Sequence, residues 1–464
     1  MRNSIQYISI LHFVSALLFC QEIPSEFYIY ETKKLVIDSG KNWKENTAFN
    51  PIRHALQYND SLLSNEKFLK IDLRYGLLTK NSDMSFYFHL HSRFNKYFYV
   101  YLYPRFVNNQ NAFPRFSGLK RDISRFGFNA GETDLAGIGF ENGWSIIQFG
   151  RGRQGWGAGL DNQVTLNENS NAYDYGMLGL NFSNFKSRYF HGWLERIDST
   201  NRYIVAKGIE WTNKRNLILN ISEIVIYSGV NRSIDIAYLN PVSSHLEIEL
   251  NNRQNVLGNS SANAIWQFSL DILANNNLRL SANYIIDELI LDKIEEKNGK
   301  ENGLGGSLKL AWTPYDDKKT MTIFLSYTKI GTHTLKHENG FNNFVHRGSP
   351  IGYQFGNDVQ QINTGFNLFQ KNKFILSSNI GYRELGENSV LKTPYISNEH
   401  HQKGKFPSGE IEEVIFCNFR IRQLIKDNFS IISNFNWSNS NIFGQHSSFN
   451  IGADYYFNLT TNLK

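Results

Sequence analysis

Cysteine is nearly missing from this 464-residue chain, with Cys20 and Cys417 the two present. Cys20 ends a leader-like segment, so Cys417 would be left alone and no intramolecular disulfide would staple the mature chain. Long apolar runs are lacking too. After residue 20 nothing approaches the roughly 20 apolar residues that a membrane-crossing helix needs, which excludes a helical membrane protein. Charge of one sign is not in excess: Lys and Arg number 48 against 42 Asp and Glu, dispersed along the chain, so nucleic acid is not implied as a partner. There is no Walker loop, zinc-type cysteine cluster or dinucleotide fingerprint, and hence no expected cofactor. A nucleophile elbow is also missing. The nearest string, Gly348-Ser349-Pro350-Ile351-Gly352, sets serine beside glycine and inserts proline.

What is there begins with Arg2 and a largely apolar run from Ile8 to Phe19, the pattern of a signal peptide over 1–20 cleaved near Cys20-Gln21. A lipoprotein reading would lipidate Cys20, but bulky Phe19 stands where a small residue is expected. The 24 Tyr and 35 Phe accompany a mean hydropathy of -0.40. That combination fits strands that are apolar on one face only.

Strict alternation supports this. Trp266, Phe268, Leu270 and Ile272 alternate with Gln267, Ser269 and Asp271, and Phe449, Ile451, Ala453, Tyr455 and Phe457 alternate with polar residues or glycine. A one-sided soluble sheet shares the pattern. Connection lengths separate the two. Short turns near 274–277, 314–319, 370–372 and 426–427 take turns with long connections near 288–302, 331–357, 386–410 and 438–446, as in outer-membrane barrels. The fold class expected is therefore all-β, an antiparallel transmembrane β-barrel over 66–457. Candidate strands begin near 66, 84, 97, 122, 133, 144, 175, 186, 202, 215, 231, 244, 263, 277, 303, 320, 358, 373, 411, 427 and 446. An odd tally of 21 cannot close such a barrel, so about 18 strands are expected, with 16 or 20 as alternatives. Residues 21–65, with a helical pattern near His54 to Tyr58, are expected to form a periplasmic or plug segment, and 458–464 a C-terminal tail. The last strand, through Tyr455 and Phe457, is similar to the sorting pattern that barrel-insertion machinery recognises.

Three ordered motifs carry a family resemblance. They are Gly150-Arg151-Gly152-Arg153-Gln154-Gly155-Trp156-Gly157-Ala158-Gly159, followed by Ser170 to Gly176; Tyr238-Leu239-Asn240-Pro241-Val242; and His346-Arg347-Gly348-Ser349-Pro350-Ile351-Gly352-Tyr353-Gln354-Phe355-Gly356-Asn357-Asp358. Together the sequence resembles the capsule assembly protein Wzi family. Ala158 departs from that pattern, which has proline, and the acidic loop Asp287 to Glu301 has no counterpart. The resemblance implies an outer-membrane barrel, embedded in lipid, that binds capsular or exopolysaccharide at the cell surface and helps assemble or attach it as a non-catalytic lectin.

The candidate polysaccharide-binding or lumen residues are Arg151, Arg153, Trp156, Asp174, Arg347 and Asp358. Arginine offers forked donors to carboxylates or sugar hydroxyls, and tryptophan an apolar face for a sugar ring. The structural alternative has the glycines easing a bend, the arginines pairing with lumen acids such as Asp174, and Trp156 in an interface belt. Asn240-Pro241 reads as a turn after a strand. Two further functions stay open. One is a pore for diffusion or polymer export, since about eighteen strands leave room for a channel. The other is a lipid or glycan hydrolase using His89 and His91, which share one strand face but bring no third ligand.

Overall fold

Alternating side chains build a wall with two unlike faces, and the wall closes because an open edge would leave backbone groups unpaired in lipid. The computed structural model describes residues 46–50 and 67–462 together with Trp43, apart from 79–82, 113–115, 257, 259–260, 291, 315–319, 371, 399–401 and 427. In chain order its strands are β1 (Phe68–Leu78), β2 (Asp83–Arg93), β3 (Phe98–Val107), β4 (Lys120–Arg125), β5 (Phe128–Glu141), β6 (Ser145–Gly152), β7 (Tyr173–Phe182), β8 (Phe185–Ile197), β9 (Thr200–Thr212), β10 (Leu217–Val230), β11 (Ala262–Asn275), β12 (Leu278–Glu288), β13 (Gly303–Trp312), β14 (Thr320–Ile330), β15 (Val345–His346), β16 (Ser349–Pro350), β17 (Val359–Gln370), β18 (Phe374–Leu385), β19 (Glu412–Lys426), β20 (Phe429–Ser440) and β21 (Gly444–Asn462). Eighteen of them, all but β4, β15 and β16, form one antiparallel wall. It closes where β1 pairs with β21, from Phe68 opposite Asn462 to Leu78 opposite Gly452.

Along one rim the strands are joined by short connections of two to seven residues, at 94–97, 142–144, 183–184, 213–216, 276–277, 313–319, 371–373 and 427–428. The other carries the long connections 108–127, 153–172, 231–261, 289–302, 331–358 and 386–411, with brief links at 79–82, 198–199 and 441–443.

Three candidate strands lie outside the wall, which resolves the odd tally. The segment near 122 is β4, a hairpin partner of β5 standing above the rim. Those near 231 and 244 lead into short helices, α1 (Ile236–Leu239) and α2 (His245–Leu250), capped by Asp235 accepting from the Ala237 amide and Ser244 accepting from the Glu247 amide. Four or five residues of alternation do not distinguish a strand from a short helix, and here the caps decide. Tyr238 to Val242 therefore turns out of a helix, not a strand. The long connection expected at 438–446 is three residues, because β20 and β21 continue as polar strands up to Ser440 and Gly444. Ser440 Oγ accepts the Ile442 and Phe443 amides there, each at 3.2 Å. The expected tail is also mostly wall, since Asn458 to Asn462 pair with β1. The acidic loop holds a third helix, α3 (Lys293–Lys297), capped by Asp292. The leader and the pattern near His54 to Tyr58 lie outside the described residues.

Strand β10 shows how the two faces are used. Ile218, Asn220, Ser222, Ile224 and Ile226 point into the lumen, while Leu219 and Ile221 are bare on the outside. Above them Glu223, Val225 and Tyr227 also point outward, yet all three are buried. The cover is the 231–261 connection, a strap folded down over the outer wall. Tyr203, Tyr227 and Tyr238 stack at 4.8 and 4.7 Å, and the Tyr238 hydroxyl meets His245 Nδ1 at 2.8 Å. Ala262 and Ala264 on β11 leave room for this packing. Arg232 ties the strap's ends, donating to the carbonyls of Ser228 and Ser261 at 3.0 and 2.8 Å and pairing with Asp235 at 2.9 Å.

Candidate functional site

Beyond β6 the chain turns into the barrel. Gly157 and Gly159, at φ of +127° and +74°, permit the bend. Between them the Ala158 amide donates to Asn283 Oδ1 at 2.8 Å, and Asn283 Nδ2 returns a bond to the Ala158 carbonyl at 3.0 Å. A proline here would lack that donor, so alanine suits this chain's lumen.

Trp156 is fully buried, edge-on to Phe49 at 4.8 Å and to Phe190 at 5.3 Å. It is the centre of a lumenal core, not a belt residue. The N-terminal segment reaches the same place. Asn50 and Gly155 exchange two hydrogen bonds, at 2.8 and 2.7 Å, and the Thr47 hydroxyl and Ala48 amide both donate to Glu210 Oε2 at 2.6 Å. This described part of the expected periplasmic or plug segment lies in the lumen.

The first and third motifs meet there. The Asn167 amide donates to the Ile351 carbonyl at 3.1 Å and the Tyr353 amide to the Val164 carbonyl at 2.9 Å. Gly352 presses so close to Val164 that a Cβ would not fit. His346 Nε2 donates to the Ala172 carbonyl at 3.2 Å. Leu335, Phe344 and Ile351 complete the apolar core against Ile204, Ile224 and Ile265 of the wall.

The six candidates do not form one site. Arg153 is buried and holds Asp134, with its Nε donating to the Ser170 carbonyl at 2.9 Å. Arg151 and Asp174 do pair, at 3.2 Å, but on the barrel's outer face, because Tyr173 and Tyr175 on either side of Asp174 point inward. Asp358, wholly buried, joins two long loops: it accepts the Thr332 hydroxyl at 2.7 Å and, from the neighbouring loop, the Ser408 amide at 2.9 Å and hydroxyl at 2.5 Å. Only Arg347 faces solvent at the mouth. Its amide donates to both Glu195 oxygens at 3.1 Å, and its Nη1 to the Ser117 carbonyl at 3.0 Å.

Sequence reasoning missed the group that organises this mouth. Glu195 also receives Arg202 Nη1 at 2.5 Å and the Tyr395 hydroxyl at 2.9 Å. Burial pushes the Tyr395 phenol up to about 12, and burial also holds the His346 imidazole below its ordinary value, with Glu195 and the Ala172 carbonyl opposing the shift. Beside Arg347, past Ser117, stands the β4 hairpin. Its Lys120, Arg121 and Arg125 are exposed, as are Leu119, Ile123 and Phe126, with Asp122 its one acid. The result is a basic lip with apolar faces. Elsewhere, His89 and His91 lie 6.3 Å apart between ring centres, with His89 Nδ1 3.5 Å from Asp72. Among the described residues no group of three or more metal-ligating side chains comes together.

No protein-family model and no curated protein matches the sequence. Solved structures share its architecture. Wzi of Escherichia coli, an outer-membrane protein involved in group 1 capsule assembly and a carbohydrate-binding β-barrel, superposes with a TM-score of 0.60 at 11% identity, over 94% of this chain and 98% of its own. OccAB4 of Acinetobacter baumannii gives 0.47 at 7% identity over 86% and 100%, and OprD of Pseudomonas aeruginosa 0.45 at 12% over 85% and 95%. The tight-turned and long-looped rims, the apolar outer wall and this likeness together make the chain an outer-membrane β-barrel with the fold of Wzi.

Proposed function

We propose that the barrel binds capsular or extracellular polysaccharide at its extracellular mouth and helps attach or assemble it there, without catalysing a reaction. The observation that carries this reading is the division of labour among the long loops. Their inner parts pack into a lumenal core around Trp156, and their outer parts leave a basic lip at Arg347, Lys120, Arg121 and Arg125. Fixed loops suit binding, since a rigid surface loses little entropy on engaging a flexible polymer. The cations favour a polymer bearing acidic sugars, and Phe126 offers a ring face to a sugar. The carbohydrate binding of Wzi agrees with this reading.

A pore is the second reading, favoured by the charged lining opposite the apolar core. There Asp454 receives Arg74 at 2.6 Å and Arg422 at 2.8 Å. Deleting the gene and comparing cell-attached with released polysaccharide tests the first reading. Loss of attachment with undiminished total polymer is the expected result, and unchanged attachment would overturn it.

A further inference from the structure

The strap over the outer wall supplies none of the residues named at the mouth or in the lumen, and much of its own outer surface is apolar. Ile236 is 81% exposed, Val242 86% and Leu250 72%, with Leu246 on the same side of α2 as Leu250. Exposed apolar residues this dense mark a contact surface.

Its depth identifies the partner. At ~3.4 Å per residue and a tilt near 40°, Glu223 lies about 18 Å below the wall's upper end at Val230. That is within the apolar band of about 25 Å expected of such barrels. The strap reaches this depth, because the His245 amide donates to both Glu223 oxygens, at 3.0 and 3.1 Å. It hides from lipid the Lys207–Glu223 pair, which points outward one rung above the bare pair Ile209 and Ile221. Its apolar side is therefore continuous with the lipid-facing wall. Beside it runs a groove of about 780 Å³ whose lining is largely apolar, with Ile138, Phe149, Trp193 and Ile234, and also includes the Arg151–Asp174 pair and His191.

We propose that the strap is seated in the outer leaflet and that its outer face and the adjoining groove bind acyl chains of outer-leaflet lipid. Glu247 and Arg253, exposed charges of the strap, pair with each other at 2.5 Å, so neither would enter the leaflet unneutralised. The proposal does not depend on polymer binding.

Single replacements Ile234→Trp, Val242→Trp and Leu246→Trp, each at an exposed position, test it. The full barrel is reconstituted in phosphatidylcholine vesicles with or without acyl chains brominated at mid-chain, and the emission of the added tryptophan is read as a difference from the parent. Phe126→Trp on the β4 hairpin serves as the aqueous control. Bromine is expected to quench the three strap positions several-fold more than the control, with aqueous iodide doing the reverse. Quenching no greater than that of Phe126→Trp would overturn the proposal. Protection from both quenchers, the signature of a second copy covering the strap, would overturn it equally.

Discussion

Lys207 and Glu223 face each other across β9 and β10 on the outside of the barrel, Nζ to Oε2 at 2.8 Å, with side chains only 12% and 1% exposed. Removing one partner of a buried pair strands the other charge. Glu223→Gln or Lys207→Met is expected to lower unfolding stability by about 3 kcal/mol. The Lys207→Met/Glu223→Gln double variant is expected to lose less than the two single losses combined. Urea titrations in detergent read this, and strict additivity would show that the two charges act independently.

Asp358 ties the 331–358 and 386–411 connections by accepting from Thr332 and Ser408. Asp358→Ala leaves those donors without their acceptor while the wall keeps its ladders. Protease is expected to cut both loops at least tenfold faster, with the barrel still migrating as a folded species. Unchanged cleavage would mean the loops are held by the Trp156 core alone.

His346 is held below the ordinary imidazole value of about 6.5 chiefly by burial. The unfolded chain thus takes up a proton at higher pH than the folded one, so this residue's contribution makes stability rise with pH across that interval. Stability is expected to fall as pH drops below about 6.5. His346→Gln should flatten that slope, which urea midpoints at a series of pH values would show. Parallel slopes in the two proteins would refute this role.

The basic lip supplies charge to the proposed polymer contact. Replacing Lys120, Arg121, Arg125 and Arg347 together with Gln is expected to weaken binding of an acidic polysaccharide by about tenfold or more at low salt, and to reduce its salt sensitivity. Equal affinity at all salt concentrations would move the contact elsewhere on the mouth.

The wall was legible because a period of two survives in most strands and tight turns recur at one rim. What stayed hidden is instructive. Glu195, Arg202 and Tyr395 come from two strands and a distant loop, and no local pattern joins them. Arg151 and Asp174 could be paired from sequence but not assigned a face, because the side of a strand depends on register. The strap left a faint trace: Lys207 and Glu223 occupy lipid-facing positions, and Ala262 and Ala264 stand where the strand below carries Trp266 and Phe268. An ion pair with small residues on a greasy face signals a cover, but only once that face is known. Trp156 was readable as special, though its burial in the lumen required the inward turn at Gly157 and Gly159.

The conductance of the purified full-length barrel in a planar bilayer tests the filled lumen, on which binding at the mouth rather than passage through it depends. The account predicts negligible steady conductance, with at most brief, small openings. A large, stable conductance would contradict it and favour the pore.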